Sequence, residues 1–341
     1  MILPASDPAS IARCADTLRA GGLIGLPTET VYGLGADACN DAAVAQIYAA
    51  KGRPADHPLI VHLAATDGGM SGVAYFAHHV PPFAKQLMAA FWPGPLTLIL
   101  PRRPGVATAA AAGQDTIGLR CPAHDAAQAV LAALRRPAHA APLVWGIAAP
   151  SANRFGRVSP TTAAHVQAEL GDALLVLDAG PCAVGIESTI IDCTRQVPIL
   201  LRPGSIGAAQ IEEACGLKLA LTSASPAPRA SGTLASHYAP HARVRLMDAA
   251  AMQLELDQLP PEHKMGEHAR IAVYTRVLLQ VASAAVLVQR MPHDAAAVAH
   301  ELFAVLRALD AANVQQIWVQ TPPEEWEWDG VRDRLQRASC R

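Results

Sequence analysis

Apolar residues in this chain gather into short runs, most followed at once by a proline, a glycine or a polar side chain. Leu23–Leu26, Leu59–Leu63, Leu96–Leu100, Thr116–Arg120, Leu143–Ala149, Leu174–Asp178, Ser188–Asp192 and Ile199–Arg202 read as buried strands. Between them, apolar positions at helical spacing predict helices. One is capped by Asp7 or Ser10, one runs from an Asn40 cap to about residue 50, and others span Pro82–Phe91, Asp125–Leu134, Thr161 or Thr162 to Leu170, and 208–215. The stretch between residues 63 and 82 reads as an Ala- and Gly-bearing loop. Strands and helices alternate irregularly, which predicts a twisted mixed sheet with flanking helices and not a clean Rossmann order. Residues 222–232, small, polar and proline-bearing, read as linker.

The pattern then restarts. Arg243–Met247, Ile271–Tyr274, Ala285–Val288 and Ile317–Val319 predict strands, with helices near 249–258 and over Asp294–Ala311. Val298, Leu302, Val305, Leu306 and Leu309 make one apolar face of the latter. The expectation is an α/β chain of two domains: a larger one over 1–207, a linker over 208–241, and a smaller Rossmann-like α/β domain over 242–341.

Composition narrows the function classes. Of 341 residues, 51% are apolar and 16% charged, enough for a sizeable core and against disorder. A net charge of −2 argues against a nucleic-acid-coating or membrane-surface protein. Seven scattered cysteines form no CxxC pair, so neither a zinc knuckle nor a disulfide framework is indicated. The first residues lack the features of a signal peptide, and no apolar run is long enough to cross a bilayer, so a cytoplasmic location is expected.

Candidate chemistry follows the strand ends. Thr28-Glu29-Thr30, Arg120, Ser151-Ala152-Asn153, Ser188 and Arg202 each sit at or just past the end of an apolar run. Several such ends can converge on one crevice. Lys51 and Arg53, either side of Gly52, could clamp a triphosphate or simply end a solvated helix, where cations suit the dipole. His57 and His62 could be ligands or bases, although a histidine in an apolar strand is more often a hydrogen-bonded core residue. Arg120 wants a carboxylate, either a substrate's or an internal one such as Asp178 or Asp192. Ser151 and Asn153 could meet phosphate or cap a turn. Glu29 and Glu187 could hold Mg²⁺ through water or pair with the arginines, and Gly33 and Gly35 permit close backbone approach. With no GxxxxGK[ST], GxGxxG, HExxH or GxSxG present, phosphate binding would rest on side-chain cations and loop amides. The residues alone point to an α/β enzyme with an anionic ligand, most simply a nucleotide.

PTETVYGLGADA, KGRPADHPLIVH, WPGPLTLIL, TIGLRCPAH, APSAN, GIESTIID and LRPGSIG, in this order, closely resemble the YrdC-like threonylcarbamoyl-AMP synthases. HYAP at 237–240, followed by a small α/β domain, resembles their two-domain form. The resemblance implies an N-terminal YrdC-like catalytic domain and a nucleotidyltransferase. Its reaction makes threonylcarbamoyl-AMP and pyrophosphate from L-threonine, bicarbonate and ATP, with Mg²⁺. The product serves a downstream threonylcarbamoyl-transferase complex that modifies tRNA beside the anticodon. By the same resemblance Lys51 and Arg53 are catalytic. ATP contacts are implied for Lys51, Arg53, Thr116, Ser151, Asn153, Ser159, Arg202 and Tyr238, and for His57, which stands where the family has asparagine. Thr30, His62, Arg120, Ala149 and Ser188 match the threonine pocket, and no direct protein ligand to a metal is implied. Two rivals remain: a double-stranded-RNA-binding module of the same fold, and a carbamoyl-transfer relative serving hydrogenase maturation. The charge and the missing CxxC pairs disfavour them in turn.

Overall fold

The computed structural model describes residues 1–136, 143–220, 228–232, 237–259, 270–283 and 285–340. Contacts divide the chain into two compact units, Met1–Phe155 with Ser159–Thr233, and Gly156–Val158 with Leu234–Arg341. In the first unit the strands are β1 (Ile2–Pro4), β2 (Ile24–Leu26), β3 (Gly33–Asp37), β4 (Ile60–His62), β5 (Leu96–Pro101), β6 (Thr116–Arg120), β7 (Ile147–Ala148), β8 (Leu175–Asp178), β9 (Thr189–Asp192) and β10 (Ile199–Arg202). They form one mixed sheet in the order β1-β8-β2-β3-β7-β4-β6-β5-β9-β10. Its helices are α1 (Pro8–Arg19), α2 (Asp41–Lys51), α3 (Met70–Phe76), α4 (Pro82–Phe91), α5 (Asp125–Leu134), α6 (Ala163–Leu170) and α7 (Ala208–Cys215).

Local chemistry sets the helix ends. Asp7, Asn40 and Thr162 cap α1, α2 and α6 through side-chain oxygens that accept from Ala9, Ala43 and His165 amides. Gly52 closes α2 at φ 60, a left-handed conformation in which glycine carries no steric penalty, and so sets Lys51 and Arg53 on opposite sides of a tight turn. Two apolar clusters cover the sheet. Alternation along β8 sends Leu175 and Leu177 to a cluster with Leu18 of α1 and Val130 and Leu134 of α5, and Val176 to the larger cluster with Leu34, Ile47, Val61, Leu98 and Leu119.

Several expectations need correction. Leu143–Ala149 pairs only over Ile147–Ala148, because the chain reaches the sheet late. The supposed loop after residue 63 contains α3, a short helix with no side-chain cap to announce it. Gly33–Asp37 is a strand despite its glycines. A Cβ at Gly33 would lie 3.0 Å from Ala149 Cβ, and one at Gly35 2.9 Å from Ile147 Cγ2, so the glycines let neighbouring strands pack closely. β1 is also an element the apolar runs do not announce. α7 packs on α4 within the first unit. Residues 222–227 of the expected linker lie outside the described residues.

The second unit carries β11 (Arg243–Met247), α8 (Ala249–Asp257), β12 (Ile271–Thr275), β13 (Val286–Arg290), α9 (Ala295–Ala311), β14 (Gln316–Gln320) and α10 (Asp329–Ser339). Its strands are all parallel, in the order β11-β14-β12-β13. Val273 packs with Met252 and Leu256 of α8, while the next residue, Tyr274, donates to Glu301 of α9 at 2.7 Å. Helices therefore cover both faces, the arrangement expected for a parallel sheet. Among the described residues no helix is long and apolar enough to cross a membrane.

Candidate active site

Alternation within the first sheet defines the candidate site. Val61, Leu98, Ile117, Leu119 and Ile191 point into the larger core cluster. Their neighbours Ile60 and His62, Thr97 and Ile99, Thr116, Gly118 and Arg120, and Ser188 and Ile190 therefore share the opposite face. Ile60, Ile99 and Ile190 form its apolar floor, with Ala230 packed onto them. At Gly118 a Cβ would come within 3.2 Å of Ile99 Cδ1, so glycine keeps this floor low.

Polar groups lie at both ends of that floor. His62 and Arg120 end the parallel strands β4 and β6 as register partners, and β7 runs antiparallel to β4. Ser151 therefore leaves the sheet at the end opposite His62. This corrects the expectation of one crevice at one set of strand ends: the groups span the face of the sheet.

At the first end, Arg120 is 4% exposed. Its Nη1 donates to Thr30 Oγ1 at 2.8 Å and its Nε to the Gly94 carbonyl at 3.2 Å. Nη2 lies 2.7 Å from Glu29 Oε2, so the carboxylate partner is Glu29 and not Asp178 or Asp192. Asp178 instead accepts from the Gly180 amide, and Asp192 from Thr194. Burial, the largest single influence, would raise the pKa of Glu29, but the Arg120 charge and the hydrogen bonds from Arg120 and the Ala123 amide together hold the carboxyl below its usual range. His62 is buried beside them, and burial, reinforced by Arg120, pulls its pKa down to about 3, so the imidazole is neutral at pH 7. Its Nδ1 has no hydrogen-bond partner among the described residues. Ala149 is buried beside the start of β4, its amide on the Ile60 carbonyl, two positions from His62 on the way to Ser151. Ser188 Oγ is hydrogen-bonded to Thr97 Oγ1 at 2.8 Å and is also reached by Arg202, whose Nη2 donates to the Ser188 carbonyl at 2.8 Å.

At the other end, Lys51 is 3% exposed, not solvated. Its ammonium donates to the Ser151 carbonyl at 2.6 Å and to that of Asn153. Burial, then the Arg53 charge, pushes its pKa well below the usual lysine value. The Phe155 amide donates to the Lys51 carbonyl, tying the Ser151–Phe155 loop to the end of α2. Arg53 Nη2 donates to the Pro58 carbonyl at 2.9 Å, and Ser231 bridges two cations: its hydroxyl accepts from Arg53 and its carbonyl from Arg202. His57, partly exposed, sits by Asp56 and Phe155, its pKa lowered by burial and then Arg53. Thr116 is half-buried at the start of β6. Ser159, fully buried, donates to Glu187. Tyr238 belongs to the second unit, where it takes φ 62 and packs on Phe303 and beneath Arg334.

Sequence reasoning left Thr97, Gly118 and Ser231 unassigned and gave Glu29 no definite place. Thr97 and Gly118 could have been found from the period-two alternation of LTLIL and TIGLR; nothing local marks Ser231. Among the described residues no group of three or more His, Cys, Asp or Glu side chains is arranged to hold a metal.

Residues 16–204 match the family model described as "Telomere recombination", and residues 206–340 one described as "Threonylcarbamoyl-AMP synthase, C-terminal domain". The chain is 36% identical to the threonylcarbamoyl-AMP synthase of Bacillus subtilis, covering 99% of this chain and 94% of that one. It is 35% identical to that of Pyrococcus abyssi, covering 95% and 92%. Its fold is similar to the crystal structure of P. abyssi Sua5 complexed with L-threonine, with a TM-score of 0.84, 33% identity, and 99% and 97% of the two chains covered.

Proposed function

The chain belongs to the threonylcarbamoyl-AMP synthase family, and we propose that the polar face of its ten-stranded sheet is where L-threonine, bicarbonate and ATP become threonylcarbamoyl-AMP and pyrophosphate. The product serves threonylcarbamoyladenosine modification of tRNA beside the anticodon, handed in the cytoplasm to a threonylcarbamoyl-transferase complex. The observation that carries the site assignment is Arg120: a buried guanidinium braced by Thr30 and Gly94, at one end of an apolar floor whose other end holds buried Lys51 and Arg53. An amino-acid carboxylate suits the first end and a triphosphate the second.

The reaction needs no protein nucleophile. Threonine and bicarbonate condense as R–NH₃⁺ + HCO₃⁻ → R–NH–COO⁻ + H₂O + H⁺. A carbamate oxygen then attacks the α-phosphorus of ATP, and the bond to pyrophosphate breaks. The protein contributes alignment and charge neutralisation. Arg120, Thr30, His62, Ala149 and Ser188 hold threonine. Lys51 and Arg53 neutralise the phosphates, while His57, Thr116, Ser151, Asn153, Ser159, Arg202 and Tyr238 take the rest of the nucleotide. Mg²⁺ is a small hard ion that keeps water and phosphate oxygens as ligands, so a site without a protein cage fits an ion arriving on the triphosphate. When bound it would add further neutralisation at the phosphates.

The test is pyrophosphate release from ATP and bicarbonate, measured with each of the twenty amino acids. Stimulation by threonine is expected. Release that no amino acid stimulates, with folded protein and Mg²⁺ present, would overturn the assignment.

A further inference from the structure

We infer that Glu29 is a specificity-determining residue: its carboxylate balances Arg120 so that the site accepts a zwitterionic amino acid and refuses a plain carboxylate. The inference rests on the reading of Arg120 as the partner of threonine's carboxylate, and it adds a residue that this reading does not use.

Glu29 is anchored from three directions. Its main-chain carbonyl accepts from the Val184 amide at 2.7 Å, Oε1 accepts from the Ala123 amide at 3.0 Å, and Oε2 meets Arg120 Nη2 at 2.7 Å. The side chain is 7% exposed, and Arg120 keeps it ionised. Such anchoring leaves the carboxylate little freedom to swing away when a ligand arrives.

Oε2 and Nη2 are buried and meet each other as an ion pair at 2.7 Å, with no further partner for either among the described residues. A buried carboxylate and guanidinium paired with each other keep capacity for one more partner apiece, which suits a ligand carrying both signs of charge. Arg120 alone would present a buried positive charge to any small anion. With Glu29 beside it the pair is neutral, so a lone carboxylate gains little attraction and still loses its hydration. An α-amino acid brings a carboxylate for Arg120 and, close by, an ammonium that the Glu29 charge favours. His62, the next titratable group, is neutral and does not alter this balance. Of Cys121, Cys182 and His124, whose charged forms would act on Glu29, burial holds both thiols protonated and His124 neutral.

The test compares threonine with 3-hydroxybutanoate of matching configuration, which keeps the carboxylate and hydroxyl but lacks the amine. In the full chain, threonine should support pyrophosphate release while 3-hydroxybutanoate inhibits weakly. In Glu29→Gln the KM for threonine should rise about tenfold and inhibition by 3-hydroxybutanoate strengthen about tenfold, each shift equal to ~1.4 kcal/mol. The KM for ATP should stay within about twofold, a useful check on folding. Parallel weakening of both ligands, or no change in their ratio, would overturn the inference. Should the Gln variant fail to fold, Glu29→Asp retains the charge and should retain the discrimination; losing it there would also overturn the inference. Absence of threonine-dependent release in the unmodified chain is a different failure, that of the functional reading itself.

Discussion

In the unit of the ten-stranded sheet the buried cations Lys51, Arg53 and Arg202 donate to main-chain carbonyls, while Arg120 donates to Thr30 and the Gly94 carbonyl and pairs with the Glu29 carboxylate. In the second unit several arginines pair with carboxylates nearer the surface, Arg245 with Glu255, Arg332 with Asp329, Arg337 with Asp333 and Arg157 with Asp310, while Arg276 donates to the Thr321 carbonyl. The polar groups at its strand ends satisfy one another too, with Gln320 Oε1 accepting from the Thr275 hydroxyl and the Arg276 amide. A carbonyl oxygen fills a donor's hydrogen bond but carries only a partial charge, so it orients a cation without cancelling it. Lys51 thus keeps its charge against main-chain oxygens and Arg120 is balanced by Glu29 in a buried pair, while the pairs of the second unit lie nearer the surface. Both sheets are α/β, and the handling of charge, not the architecture, separates a site from a scaffold.

The sharpest way to break that comparison is Arg120→Met. It should abolish threonine-dependent pyrophosphate release, a loss on the order of 10³-fold or more, because the carboxylate partner goes and the site turns negative. It also leaves Glu29 buried without its cation, which should cost roughly 3–5 kcal/mol in denaturant unfolding. Activity within tenfold of the unmodified chain would show that Arg120 serves only the fold. Lys51→Met should separate the two quantities. We expect kcat to fall about 10²–10³-fold, with unfolding stability unchanged or higher, since an apolar chain of similar volume replaces a desolvated ammonium. A fall in stability with kcat intact would place Lys51 in the scaffold.

His62 gives a pH test. Its folded pKa of about 3 lies below the usual histidine value of 6.5, so between these values the unfolded chain takes up a proton that the native chain does not. Stability from this group is therefore complete above pH 6.5 and declines as the pH falls toward 3, by up to ~1.4 kcal/mol per pH unit. Urea unfolding from pH 7 to pH 4.5 should show this slope, and His62→Gln should flatten it. An unchanged slope in the variant would mean that other groups carry the acid sensitivity.

The fold was legible wherever hydrophobic alternation and capping agreed. The helix α2 is an example: the expected Asn40 cap and an end near residue 50 lie close to the observed Asp41–Lys51. GLGAD was not legible as a strand, because its pairing depends on close approach by Ala149 and Ile147, residues more than a hundred positions away. The site was half legible. Residue types at strand ends were visible, but strand direction was not, so the antiparallel run of β7 and the resulting spread of the site across the sheet face could not be foreseen. The Glu29–Arg120 pairing was open for the same reason: Asp178, Asp192, Glu29 and Glu187 were all plausible, and only the fold chooses among them.

The smallest effect tests the scaffold side of the comparison. Arg245 makes a two-pronged contact with Glu255, at 2.8 and 2.6 Å, with its guanidinium 5.5 Å from the centre of the Trp318 ring. Geometry this good invites a large energy, but the side chains are 33% and 40% exposed, and water and salt screen them. Arg245→Gln should therefore cost no more than about 1 kcal/mol at low salt, and less at high salt. It should leave kcat and both KM values unchanged. The same substitution in kind, one arginine made neutral, is thus expected to be nearly silent where the ion pair is exposed, and ruinous at Arg120, where the pair is buried. A drop of several kcal/mol in Arg245→Gln that survives high salt would show that the four-stranded unit also depends on desolvated charge, and the contrast between the two sheets would fail.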